Sequence, residues 1–211
     1  MLTQYLTVAG RREHEIIIEK SRFISHITRA ETEEDAQAFI QEIKKKHKDA
    51  THNCSAYMIG EQNQIQKALD DGEPSGTAGV PILEVLKKKD LKDTAVVVTR
   101  YFGGIKLGAG GLIRAYSKST SEGINATGIV IRKLMRVIST TIDYTWLGKL
   151  ENELRSSIYQ IKEIQYLDQV TILVYAEEAQ KESYISWMTE LTNGQGQIAE
   201  GEMLYLEEAF A

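Results

Sequence analysis

The chain has 211 residues, of which 42% are hydrophobic and 26% charged, with a formal net charge of −5. That is ordinary for a globular protein of one large or two small domains with a real core, and no apolar run approaches the ~20 residues of a membrane span. The single cysteine, Cys54, excludes an intrachain disulfide and argues against a thiolate metal site.

The charge is unevenly divided. Residues up to Arg136 carry 21 Lys and Arg against 17 Asp and Glu, and the remainder carries 4 against 13. A basic half joined to an acidic half suggests two modules with different surfaces. The opening MLTQYLTVAGRREHE has no apolar stretch behind a basic start, so a cytoplasmic location is expected, without membrane attachment.

Taken in order, EIIIE (Glu15–Glu19) and RFISHIT (Arg22–Thr28) read as two strands with Lys20 and Ser21 between them. Thr32 is placed to cap a helix running to about His47, with Ala36, Phe39, Ile40, Ile43 and His47 inward and lysines crowding its last turn. HNCSAYMIG (His52–Gly60) reads as a strand, and Ile65–Leu69 as a second. The stretch DDGEPSGTAGVP (Asp70–Pro81) holds both prolines and reads as a polar turn leading into a helix over Pro81–Lys89.

Ala95–Thr99 is a β-branched run typical of a buried strand. Arg100–Gly111 holds five glycines and reads as a loop, and a helix is predicted from Leu112 to about Ala126. Ile129–Val137 reads as a basic passage into the second module. There the pattern gives a strand over Val137–Tyr144, a helix over Trp146–Ile158, strands over Ile161–Leu167 and Val170–Ala176, a helix over Glu177–Thr192 and a strand over Ile198–Leu206. The order β-α-β-β-α-β is that of the ferredoxin-like fold. Tyr144, Tyr166, Tyr175 and Tyr205 fall on predicted strands, where buried packing is the expectation. The fold class is therefore α+β in two domains, 1–134 and 135–211.

The glycine-rich loop is the first candidate site. A helix opening directly after glycines aims unpaired N–H groups at one point, a natural seat for an anion. Arg100, Lys106 and Arg114 supply three cations around it. The run is neither a P-loop, which needs Gly-Lys-Ser/Thr, nor a dinucleotide fingerprint, because Ile113 stands where the third glycine belongs. If the Asp71–Thr77 turn lies beside this loop, acids, hydroxyls, cations and free N–H groups converge in a pocket suited to a phosphate or an RNA backbone. Two other readings stay open. One is a hydrolase using His52 and Cys54, which share a strand face, or the acids Asp70, Asp71 and Glu73 with a metal. The other is an adaptor whose acidic second domain docks a basic partner. No cofactor and no resident metal are expected.

Three blocks, HNCSAYMIG, DDGEPSGTAG and VVVTRYFGGIKLGAGGLIRAYS, resemble in sequence and order the IMPACT family of translation regulators, bacterial members in particular. The resemblance covers roughly residues 10–130. Residues 137–207 resemble the small C-terminal domain of bacterial members, which is similar to the end domains of elongation factor G. What this implies for the first domain is the left-handed βαβ fold of a small-subunit ribosomal protein and of domain IV of elongation factor G. Eukaryotic relatives bind an activator of the starvation-sensing translation kinase but bear a different N-terminal domain, so that partner is not carried over. The family establishes no catalytic residue. The implied binding surface is Asp71, Gly72, Glu73, Pro74, Ser75, Gly76 and Thr77 with Arg100, Tyr101, Phe102, Gly103, Gly104, Lys106, Leu107, Gly108 and Arg114. The expected partner is RNA, the ribosome or a translation-associated protein.

Overall fold

The computed structural model describes residues 1–210. Strands β2 (Arg12–Ile18) and β3 (Ser21–Arg29) form a hairpin whose register, Ile18 opposite Ser21, leaves a two-residue turn. That turn is Glu19-Lys20, one residue earlier than predicted, and both residues have positive φ, 45° and 64°. Paired left-handed residues give a two-residue hairpin the twist its strands require.

Strand β3 pairs with β6 (Thr94–Tyr101), β6 with β4 (His52–Ile59), and β4 with β5 (Ile65–Leu69), all antiparallel. The sheet order is β2-β3-β6-β4-β5. Helix α1 (Glu33–Lys46) covers one face, packing Ala36, Phe39, Ile40 and Ile43 with Tyr57, Ile59, Ala95 and Val97. Helices α2 (Gly79–Lys88) and α3 (Gly108–Thr127) cover the other, packing Ile82, Leu86, Leu112, Ala115 and Tyr116 with Phe23, Ile27, Cys54, Met58, Val96 and Val98. Both faces of β4 are consequently buried from Asn53 to Ile59. Thr32 caps α1 as expected, its side chain accepting from the Asp35 N–H at 3.1 Å, with acids in the first turn and lysines in the last, as the helix dipole favours. His47 ends the helix rather than joining its inner face. The glycine at 123 is a packing requirement, because a Cβ there would stand 2.2 Å from Ser25 Oγ.

Two boundaries that matter for function differ from the sequence reading. Strand β6 continues through Arg100 and Tyr101, and α3 begins at Gly108, so Gly108, Gly110 and Gly111 lie inside the helix and the connecting loop shrinks to 102–107. Burial of α3 against the sheet outweighs the poor helix propensity of its three glycines.

The chain packs as two compact units, one of Tyr5–Ile131 with the described residues from Glu208, the other of Met1–Gln4 with Arg132–Glu207. Strand β1 (Gln4–Val8), not expected from the sequence, joins the second sheet. The second unit contains most of β7 (Ile129–Ile142), then α4 (Tyr144–Arg155), β8 (Gln160–Tyr166), β9 (Val170–Glu177), a 3₁₀ turn over Glu178–Gln180, α5 (Lys181–Leu191) and β10 (Gln197–Ala209). Its strands run β10-β7-β9-β8 across the sheet. The predicted passage over Ile129–Val137 is thus the first half of one long strand. Alternate residues of β9 (Val170, Ile172, Val174 and Ala176) are buried under α4 and α5 with Leu150, Leu154, Tyr184 and Met188. The tyrosine expectation fails at two positions. Tyr144 opens α4, where Asp143 is the cap, and both Tyr144 and Tyr166 are exposed.

On the α1 side of the first sheet His26 is buried beside His47, with ring centroids 4.8 Å apart, and its Nδ1 faces Glu13 Oε2 at 3.4 Å. Burial first, and then His47, Lys46 and Arg11, lower its pKa from 6.5 to about 4, with Glu13 opposing them. The unfolded chain therefore takes up a proton near pH 6.5 that the folded chain refuses. Stability is fully present above that pH and is lost as the pH falls towards 4, by up to about 3 kcal/mol at ~1.4 kcal/mol per pH unit. Urea unfolding measured between pH 7 and 4 is expected to show this fall, and His26→Gln is expected to flatten it.

Candidate functional site

Strand alternation sends Arg100 and its cross-strand partner His52 to the same face of the sheet, towards α3. The turn after β5 comes up to meet them. Asp70 builds that turn. Its Oδ1 accepts from the N–H groups of Ala78 and Gly79 and its Oδ2 from Gly76, at 2.8–3.1 Å. Burial opposes ionisation of Asp70, but the three backbone donors outweigh it and hold the carboxyl below its usual range. Asp71 accepts from Asn53 N–H at 2.7 Å and from Lys44 Nζ at 2.6 Å, while its carbonyl receives the His52 Nδ1 proton at 2.8 Å.

So held, the turn drives Glu73 inward. Its side chain is 3% exposed, and Oε1 accepts from Arg100 Nη1 at 2.7 Å and from the Tyr116 hydroxyl at 2.8 Å. Oε2 faces His52 Nε2 at 3.8 Å. The Arg100 side chain is 7% exposed, and its guanidinium lies over the rings of Phe23 and Phe102 at 5.4 and 5.5 Å. Its Nε is buried without a partner. Cys54 Sγ lies 3.3 Å from the Tyr116 hydroxyl. Burial, then Cys54 and Glu73, push the Tyr116 pKa far above its ordinary value.

Above this buried network lies a hollow of about 320 Å³. Its walls are Thr51, His52, Pro74, Phe102, Leu107, Ala109 and Leu112, with Glu73 and Arg100 beneath and Lys106 and Gly108 at the lip. Helix α3 opens onto it with no side-chain cap, its first residue Gly108 at φ 68°. The loop above is fixed at its start. Phe102 N–H donates to Thr51 Oγ1 and Gly103 N–H to Ser21 Oγ. Only glycine fits at 103, because a Cβ would stand 2.0 Å from the Lys20 carbonyl.

The Glu73 turn and the loop therefore meet, and of the residues singled out from the sequence His52, Glu73, Pro74, Arg100, Phe102, Lys106, Leu107 and Gly108 share the hollow. The rest stand apart. Asp71, Gly76 and Thr77 shape the turn, Thr77 Oγ1 donating to the Pro74 carbonyl at 2.6 Å, and Ser75 is exposed. Tyr101, one residue on from Arg100, faces α1, where its hydroxyl meets His47 Nδ1 at 2.9 Å. Gly103 and Gly104 set the loop's path, and Arg114 is exposed on α3 outside the walls. The three cations expected around one seat are thus divided. Arg100 is a buried structural cation committed to Glu73, while Lys106 and Arg114 remain exposed. The sequence reading missed Tyr116 and Asp70 as the organisers. A tyrosine on the inward face of α3 needs a polar partner for its hydroxyl, which is the signal that points to Glu73.

The hydrolase arrangement does not form. Burial pushes the Cys54 thiol up to about 12, and Sγ points to the Asp70 carbonyl at 2.9 Å rather than to His52. Asp70, Asp71 and Glu73 are each committed to protein donors, and no group of metal-ligating side chains gathers among the described residues.

A family model described as the Impact N-terminal domain matches residues 19–124 of the chain, the part that contains the hollow. A domain of unknown function, DUF1949, matches residues 140–195. IMPACT family member YvyE of Bacillus subtilis is 66% identical over 209 residues, covering 99% of this chain and 96% of its own. The chain belongs to the IMPACT family. An IMPACT family member of Haemophilus influenzae is 32% identical, covering 92% of this chain and 95% of its own. A solved structure titled "Crystal structure of an hypothetical protein" superposes with a TM-score of 0.61 at 28% identity, over 96% of this chain and 99% of that one.

Removing the Glu73 carboxylate leaves Arg100 buried without a counter-charge, and such a loss costs about 3–5 kcal/mol. Glu73→Ala is expected to lower the stability read from the urea midpoint by that amount, with Glu73→Gln, which still accepts from Arg100 and Tyr116, losing less. Alkylation of Cys54 by iodoacetamide at pH 8 is expected to run at least ~100-fold slower in the native protein than in urea, followed by intact mass.

Proposed function

We propose that the chain is a translation-associated regulator that acts by binding RNA, the ribosome or a ribosome-associated protein, without chemistry of its own. The observation that supports it is the hollow beside α3, where the uncapped first turn of a helix and Lys106 face a cavity whose one lining acid, Glu73, is engaged by Arg100 and Tyr116. A phosphate at such a helix start is stabilised by free N–H groups and the helix dipole. Lys106 and Arg114, both exposed, add mobile charge for the backbone. Membership of the IMPACT family supports a regulatory role over a catalytic one, and a cytoplasmic site of action belongs to the same reading. No helix among the described residues is long and apolar enough to cross a membrane. The fold relationships belong here too. The first unit is read as the left-handed βαβ fold of a small-subunit ribosomal protein, the second as the ferredoxin-like end domain of elongation factor G, and the domains as 1–134 and 135–211.

Co-sedimentation with ribosomes and with ribosomal RNA across a salt series tests the proposal. Affinity is expected to fall linearly on a log–log plot as counterions are released, and Lys106→Gln and Arg114→Gln are each expected to reduce that slope by about 1. Salt-independent binding, or none, refutes it.

A further inference from the structure

The hollow is more apolar than a phosphate seat needs to be. Pro74, Phe102, Leu107 and Leu112 make its walls, and charge is confined to the buried floor and the lip. Phe102 is 46% exposed although one face of its ring is covered by the Arg100 guanidinium. Folding does not require an exposed aromatic on a loop pinned through its backbone, and the pinning itself holds the ring in place at little entropic cost on binding. Arg100 lines the cavity with a side chain more than nine-tenths buried and an Nε that has no partner.

Resting on the RNA-binding reading, we propose that this hollow takes one unstacked nucleotide, its base against Phe102 and the apolar walls and its phosphate on the first turn of α3 beside Lys106. The volume of about 320 Å³ lies at the small end of the ~300–1,000 Å³ of ligand pockets and suits a single nucleotide rather than a stretch of duplex. An A-form duplex keeps its bases stacked and inaccessible, whereas single strands present bases that aromatic side chains can receive. His52 in the wall and Glu73 on the floor give the base edge a donor or acceptor to meet. The arrangement makes stacking the source of affinity and charge the source of salt dependence, so the two can be separated by mutation.

The test uses the full chain and three probes: a fluorescein-labelled 12-nucleotide single-stranded RNA, the same sequence as a duplex, and unlabelled AMP and UMP as competitors, read by anisotropy. The single strand is expected to bind more tightly than the duplex. Phe102→Ala is expected to weaken it about tenfold, the loss of one base–aromatic stack, with the salt slope unchanged. Phe102→Trp is expected to retain binding, and Lys106→Gln to lower the salt slope instead. Competition by AMP or UMP that disappears in Phe102→Ala supports the same pocket for a free nucleotide. RNA binding that is indifferent to Phe102, or equal for duplex and single strand, overturns this inference and leaves the RNA-binding reading standing. Absence of binding by every probe and by ribosomes overturns both.

Discussion

One ion pair holds the functional face of this protein in place. Glu73 arrives from a turn and Arg100 from the middle of a sheet, and neither side chain keeps appreciable contact with water. Two charges removed from solvent carry a large desolvation cost, and the geometry has to offset it. Here the carboxylate also receives Tyr116, and the guanidinium lies against two phenyl rings. What the pair secures is position. It ties the turn after β5 to β6 and to α3, and the cavity above them inherits its shape from that junction.

The surrounding architecture explains how such a junction is tolerated. The first sheet is covered on both faces, so β4 and β6 carry apolar side chains above and below. Burial on that scale, at about 25 cal/mol per Å² of apolar surface, lets the α3 side host a network of charges and hydroxyls. On the opposite face the same sheet buries His26 beside the partly buried His47, and burial lowers the pKa of both. The second unit is simpler. One face of β9 is packed beneath two helices around Tyr184, Tyr159 and Trp187, and the alternation of its residues reports this directly.

Much of this was readable from residue order because local physics and tertiary structure agree there. Thr32 caps the helix its hydroxyl announces, and the alternation from Val170 to Ala176 is a half-buried strand. The misreadings fall where tertiary contact overrides local preference. Three glycines between 108 and 111 signal a loop, yet packing of Leu112 and Tyr116 against the sheet extends the helix back over them. Glu19 and Lys20 carry no turn signature, yet the pairing of Ile18 with Ser21 leaves them the bend. Arg100 read as a free cation because nothing local shows that a glutamate 27 positions earlier will be turned inward to meet it. The apolar character of the hollow was hidden for the same reason, since Pro74, Phe102 and Leu112 come from three separate segments.

Neither compact unit is a continuous stretch of chain: residues before Tyr5 belong with the later unit, and residues from Glu208 onward belong with the earlier one. A ribosome making this chain would therefore release the hollow's whole scaffold, from Tyr5 to Ile131, well before the segment that completes its unit. The first unit must persist unfinished while some seventy-six residues are added, which places a premium on contacts, such as those of Glu73, that close entirely within the portion already emerged.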